Sequence, residues 1–414
     1  MALNYIWVGF FLIAFVVGLV KLIFFGDITI FETMMKALFD RAKLGFELSL
    51  GLTGILALWM GIMKIGERGG MINILAKMVS PLFTRLFPEV PKNHPAIGSM
   101  MMNFSANMLG LDNAATPLGL KAMKDLQELN PKKETASNAQ IMFLVLNTSG
   151  LTLIPVSILA LRAMKGSANP TDVFLPILIA TFFSSMVGLI VTSIVQKINL
   201  FNKVVMAYLL GTTALIGGIA YYVYWLKDPE KISAFTNVLS NLLLFSIIIA
   251  FISVALFKKI NIYDAFIEGA KDGFQVAVSI IPYLVAMLAA IGVFTASGAM
   301  DWILDMFRFI FGHMHIDTRF VDGLPTAFMK PLTGGGARAA MVESWVDHGV
   351  DSFVGHLTSI LQGSTETTFY VLAVYFGSVK IKNIRSAAWL GLIADIAGII
   401  AAIFITYLFF GGLK

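Results

Sequence analysis

The chain has 414 residues, 57% hydrophobic and only 13% charged, with a net charge of +5 and no cysteine. Soluble domains carry roughly 25% charged residues, so an ordinary soluble protein is excluded. Without cysteine there is neither a disulfide framework nor a thiolate metal site, and in so apolar a chain the surplus of basic residues reports loop orientation and not nucleic-acid binding.

Apolar runs of about 20 residues are long enough to cross a bilayer as helices. The ten-residue alternation of an outer-membrane barrel is missing. Backbone groups in lipid need internal partners, so an all-α polytopic membrane protein is expected. In chain order, residues 5–25 read as a retained span and not as a signal peptide, lacking a basic leader and a small-residue cleavage site. Residues 30–46 are amphipathic and suit a helix lying in the interface. A span follows at 48–65, then a second amphipathic stretch at 72–87.

Residues 103–117, NFSANMLGLDNAATP, set three Asn, a Ser, an Asp and a Thr inside this oily chain. The region 95–129 is too short and too polar for a span and reads as a re-entrant helix–loop–helix. Such backbone is tolerated only where it is buried in protein or lines a cavity. Residues 138–162 are interrupted by Asn147, Thr148, Ser149 and Gly150, with Pro155 following, and read as a discontinuous helix. Spans come next at 173–195 and 204–226, and the loop 227–233 is the expected boundary between halves.

The second half repeats the order. It has a span at 238–257, amphipathic residues at 262–271, a span at 276–294 and an amphipathic stretch at 300–312. A Gly-rich, charged re-entrant region at 317–349 contains KPLTGGGAR (330–338). A second broken helix at 353–377 contains QGSTETT (362–368), and the last span is 384–410. The run Ala42-Lys43-Leu44-Gly45-Phe46 aligns with Ala270-Lys271-Asp272-Gly273-Phe274, and the same offset pairs Gly70 with Gly298 and Ser105 with Thr333. An odd number of spans separates equivalent points, which inverts the second repeat. Inverted repeats with paired broken helices point to a transporter site near the bilayer midplane. The expected units are a first repeat over 1–200, a connecting helix and loop over 201–235, and a second repeat over 236–414.

Basic residues favour a cytoplasmic N-terminus: Lys64, Arg68, Lys132, Lys133, Lys258 and Lys382 fall on one side, and Arg41, Arg162 and Lys165 on the other.

The run NFSANMLGLDNAATPLGLKAMKDLQ (103–127) resembles the signature of spore maturation protein A. GGGARAAM (334–341) with QGSTETTFYVLAVYFGSVKIKN (362–383) resembles spore maturation protein B. The resemblance covers nearly the whole chain, which looks like a fusion of the two. It implies membership of the nucleoside recognition, or Gate, group, which includes the gates of ferrous-iron transporters and is related to concentrative nucleoside transporters. Those relatives place two oppositely oriented hairpins and two unwound helices around a central site. In spore formers the two proteins are linked to dehydration of the spore core. The resemblance brings no substrate and no catalytic residues.

The site candidates therefore rest on chemistry. Asn103, Ser105 and Asn107 offer amides and a hydroxyl on one helical segment, suited to a neutral polar solute or Na⁺, or else to interhelical polar contacts. Asp112, Asn113 and Thr116 read as turn and cap residues. Asn147, Thr148 and Ser149 sit where unwinding would free carbonyls for a ligand, or merely kink a helix. Lys330, Thr333 and Arg338 flank glycines that allow close approach; the two cations either meet an anionic solute or pair with Glu343 or Glu366. Gln362, Ser364, Thr365, Glu366 and Thr367 form the densest polar cluster. Glu366 and Asp395 are the ion-coupling candidates, since an ionisable group within a span is functional by default. His313 and His315 lack the spacing of a helical zinc motif, and His348 and His356 are isolated, so no metal is expected.

The expected function is an inner-membrane transporter or permease for a small polar solute, coupled to Na⁺ or H⁺, with no cofactor and no enzymatic activity. Its partners would be the solute, lipid, and a homo-oligomer or regulatory membrane protein, but no nucleic acid polymer. The alternative is a partner-dependent gate or scaffold without its own transport cycle.

Overall fold

A computed structural model describes residues 2–110 and 112–413, most of them helical. The helices are α1 (Ala2–Phe24), α2 (Ile30–Gly69), α3 (Met71–Leu86), α4 (Pro95–Met108), α5 (Asp112–Leu129), α6 (Asn138–Thr148), α7 (Val156–Met164), α8 (Phe174–Val195) and α9 (Lys203–Leu226). They continue with α10 (Pro229–Phe257), α11 (Ile262–Ala296), α12 (Ala299–His313), α13 (Leu324–Met329), α14 (Gly334–His348), α15 (Phe353–Gly363), α16 (Thr368–Ser378) and α17 (Ala387–Phe410). A 3-10 turn, Arg319–Gly323, precedes α13. Among the described residues, seven helices are long and apolar enough to cross a membrane: α1, α2, α8, α9, α10, α11 and α17. The protein is a multi-pass membrane protein.

Two expected boundaries are absent. The amphipathic residues 30–46 and the span 48–65 form one helix, α2, of 40 residues. The same merger makes α11, of 35 residues. At 1.5 Å per residue, α2 is about 60 Å long, twice a hydrocarbon core of about 30 Å. A change from amphipathic to apolar composition is a change of surroundings; no proline lies at either junction, and the glycines there, Gly45 and Gly273, are held inside the continuous helices. The expected boundary loop 227–233 also shrinks, because Asp228 caps α10 and Pro229 opens it.

The long helices pack antiparallel along much of their length. A Cβ on Gly45 would lie 3.0 Å from the Val285 nitrogen, and one on Gly273 would lie 2.7 Å from the Ala57 Cα. Both are backbone contacts, so the small residues set how closely the helices approach. Gly70 and Gly298, both at φ +83°, end α2 and precede α12 with the same left-handed turn.

The interrupted helices are matched as well. Ser137 caps α6 by accepting from the Gln140 N–H, and Ser352 caps α15 by accepting from the Gly355 N–H. Each helix runs 11 residues, and each stops at a serine, Ser149 or Ser364. The two broken helices lie antiparallel and are strapped together at both ends. At one end the Lys382 and Asn383 N–H groups donate to the Glu134 carbonyl, both at 3.0 Å, and the Ala136 N–H donates to the Asn383 carbonyl at 2.9 Å. At the other end Ser167 and the Ala168 N–H hold Asp351 at 2.6 and 2.8 Å.

Candidate solute site

Four segments distant in sequence meet at the two helix breaks. Helices α4 and α5 form a hairpin whose tip touches the first break: the Leu153 N–H donates to the Met108 carbonyl at 2.7 Å. Gly110, at φ +69°, presses against the Ile154 carbonyl, 2.8 Å from where a Cβ would stand. A second hairpin, α13 with α14, reaches the far side of the other break, where the Phe369 N–H donates to the Pro331 carbonyl at 3.0 Å. The breaks also touch each other, since the Glu366 N–H donates to the Thr148 carbonyl at 2.7 Å. Unwinding frees these backbone groups, and each pairs with another irregular segment, as burial requires.

Two cavities flank this junction. The larger, about 340 Å³, is lined by Asn107 and Gly110 of the first hairpin and by Thr152 to Ile158 of the first break apart from Leu153. Lys330, Gly334 and Arg338 of the second hairpin and Gln362, Gly363, Thr365 and Glu366 of the second break complete its polar wall. Leu56 and Met60 of α2 and Val276 and Ile280 of α11 close it with apolar surface. The second cavity, about 260 Å³, shares Asn107 and Glu366 and adds Thr116, Asn147, Tyr370 and Tyr375. Asn107 and Glu366 thus stand between the two.

With both hairpins and both breaks on one cavity, the chain can be set beside known proteins. The family described as nucleoside recognition, Gate, matches residues 49–165 and 277–382. The chain belongs to this nucleoside recognition family. It is 40% identical over 188 residues to spore maturation protein A of Bacillus subtilis (strain 168), covering 45% of this chain and 92% of that protein. It is 46% identical over 154 residues to spore maturation protein B of the same organism, covering 37% of this chain and 85% of that protein. No solved structure matches it significantly.

In this Gate protein the sequence candidates divide. Asn107, Lys330, Arg338, Gln362, Thr365 and Glu366 line the larger cavity, and Asn147 the smaller. Asn107 donates to the Asn147 side chain at 2.7 Å, and Asn147 donates to the Phe143 carbonyl at 2.8 Å. Asn103 lies behind them, fully buried, donating to the Ala115 carbonyl at 2.8 Å. Ser105 is buried away from both cavities. Thr148, Ser149 and Ser364 turn their hydroxyls back onto their own helices, onto the carbonyls of Val145, Leu146 and Leu361. Thr333 caps α14 by accepting from the Gly336 N–H at 3.3 Å. Thr367 is buried at the start of α16. Asp395 is buried behind the second break and accepts from the Thr368 hydroxyl at 2.6 Å. The side chains of Asp112 and Asn113 lie outside the described residues. Glu343 pairs with Arg41 at 2.7 Å, on α2.

Tyr375 is absent from the sequence candidates. Its hydroxyl accepts from Asn103 at 3.3 Å and donates to Asn147 at 3.4 Å, so it orders both amides. An aromatic in an apolar run carries no signal of this on its own.

Arg162 and His356 differ from expectation. Arg162 is fully buried, not a loop cation, and His356 is not isolated. One Arg162 nitrogen lies 3.0 Å from Asp172, 3.0 Å from Asp351 and 3.3 Å from His356. Asp172, Asp351 and His356 are close enough together to hold a metal ion. The guanidinium already supplies the cation among them, so the group is an ion-pair cluster that fastens one end of the broken helices.

Burial tends to raise the Asp351 carboxyl, but hydrogen bonds from Ser167 and the Ala168 N–H, with the charge of Arg162, outweigh it and hold the group below the usual carboxylate range.

Proposed function

We propose that this Gate protein is a non-enzymatic transporter or permease that moves a small polar solute across the bacterial inner membrane, its N-terminus in the cytoplasm. The observation that carries this reading is the cavity shared by both hairpins and both helix breaks. Its wall combines amides, hydroxyls, two cations and one carboxylate, while apolar faces of α2 and α11 cover the rest. A polar lining within a membrane protein has a high desolvation cost unless a polar occupant or water meets it.

We read the two halves as inverted repeats and the hairpins as re-entrant, entering from opposite sides. The support is reciprocal. Gly45 meets Val285, and Gly273 meets Ala57; adding the Gly45-to-Gly273 offset to one pair reproduces the other. A two-fold operation exchanges contacts in this way. The two family matches begin at 49 and 277, the same separation as Gly45 and Gly273. Alternating access then comes from moving the hairpins and broken helices together against α2 and α11. Glu366, exposed to both cavities, is the residue we assign to coupling with H⁺ or Na⁺.

The test is reconstitution in liposomes with nucleosides, amino acids and dicarboxylates, each with and without ion gradients. Uptake of one class, abolished by Asn107→Ala and Glu366→Gln, is the expected result. Liposomes that move nothing, with both variants leaving the cellular phenotype intact, would transfer the assignment to a partner-dependent gate.

A further inference from the structure

Asp395 lies near the middle of the apolar helix α17 and is 0% exposed. One carboxyl oxygen accepts from Thr368 at 2.6 Å, and the other has no hydrogen-bond partner. Thr365, itself 3% exposed, approaches that second oxygen with its hydroxyl, outside the geometry of a well-formed hydrogen bond. The surroundings are closed. One turn before Asp395, Gly391 packs on Thr368 and Thr148; nearly one turn after, Gly398 packs on Thr365 and Ser184. Ser184 of α8 spends its hydroxyl on the Ala394 carbonyl at 2.8 Å. Asp395 lines neither of the two cavities at the breaks.

An ionised carboxylate presents about four lone-pair sites and only accepts; here it meets one close donor, Thr368, and a more distant hydroxyl, Thr365. Burying that charge is unfavourable unless hydrogen bonds surround it. A carboxylic acid needs far less: one oxygen accepts from Thr368, and the O–H of the other can donate to the Thr365 hydroxyl oxygen beside it. Among the described residues, the charged groups near enough to influence Asp395 electrostatically are Lys330 of the second hairpin and Glu366 of the second break. Both also line the larger cavity.

We propose that Asp395 is a proton-binding site behind the second helix break, and that Lys330 carries its protonation state to the solute cavity. When the proton leaves, the buried carboxylate attracts Lys330. When it is bound, that pull is gone, and the Lys330 charge acts more strongly on an anionic group in the cavity. The proton and an anionic solute then favour each other's binding, the linkage a proton-coupled importer of anions requires. Use of the proton in transport rests on the function proposed above; the proton-binding site itself does not.

The experiment is infrared difference spectroscopy of the full chain in detergent, with no solute present. The expected result is a carboxylic-acid carbonyl stretch at neutral pH that is lost in Asp395→Asn and unchanged when Na⁺ replaces K⁺. Asparagine resembles the neutral acid, so this variant should melt as the wild type does. Lys330→Gln should keep the band at an alkaline pH at which the wild type has lost it. Absence of the band, or its loss specifically in Na⁺, overturns the proton site; the latter result would make it a cation site. A band whose pH dependence ignores Lys330→Gln overturns the link to the cavity. A failure of transport in liposomes would leave this band unaltered, so the two readings fail separately.

Discussion

The backbone N–H of Glu366 donates to the Thr148 carbonyl at 2.7 Å, joining the break in one discontinuous helix to the break in the other. The bond is made by main chain, so the Glu366 side chain is left to face both cavities. Glu366→Gln therefore keeps the junction and removes only a charge. Its melting temperature in detergent should stay within a degree or two of wild type, because surface changes away from packed features usually stay within about 0.5 kcal/mol. A large drop would show that the carboxylate is structural.

The tip of the first hairpin depends on Gly110. A side chain there combines a left-handed conformation with a clash against the Ile154 carbonyl. Gly110→Ala should cost about 1–3 kcal/mol, the range for backbone strain of this kind. It should also shift the tip away from the first break, reading out as weaker solute binding together with a lower melting temperature.

The approach of α2 and α11 is set by backbone contacts at Gly273 and Gly45. Overpacking costs about 1–3 kcal/mol. Gly273→Ala, with atoms at 2.7 Å, should be the more destabilising, and Gly45→Ala, at 3.0 Å, the milder. Thermal unfolding of the two variants side by side checks the order.

Much of this site was legible because polarity in an oily chain has few innocent explanations. The runs around Asn107, Asn147, Lys330 and Glu366 all stood out, and those residues line the cavities. What polarity could not separate was a side chain that faces a cavity from one folded back on its own helix: Ser149 and Ser364 look like ligands in sequence and act as local hydrogen-bond donors. The unity of α2 was hidden for the opposite reason, since its composition changes where its backbone does not. The Arg162 cluster was illegible, because Asp172, Asp351 and His356 converge only through tertiary structure.

That cluster gives a prediction in two parts. Removing one partner of a buried ion pair costs about 3–5 kcal/mol, so Arg162→Met should lower the melting temperature markedly and loosen the adjoining strap. Asp351 adds a pH dependence. Its carboxyl is held low in the folded protein by Ser167, Ala168 and Arg162 against the effect of burial. A carboxyl lowered on folding contributes stability above its unfolded value, about 3.9, that fades as pH falls through the folded value. Stability of the wild type should therefore fall below about pH 4, and Asp351→Asn should flatten that limb of the curve.

The most direct measurement is a thermal-shift screen of the purified protein against nucleosides, amino acids, dicarboxylates and metal ions, with and without Na⁺. A ligand that binds only the folded state raises its stability by about 2.7 kcal/mol at a hundredfold excess over Kd. The predicted result is one chemical class of small polar solute that raises the melting temperature of the wild type and has no effect on Asn107→Ala or Glu366→Gln. A solute that stabilises all three proteins equally would contradict a site at the helix breaks.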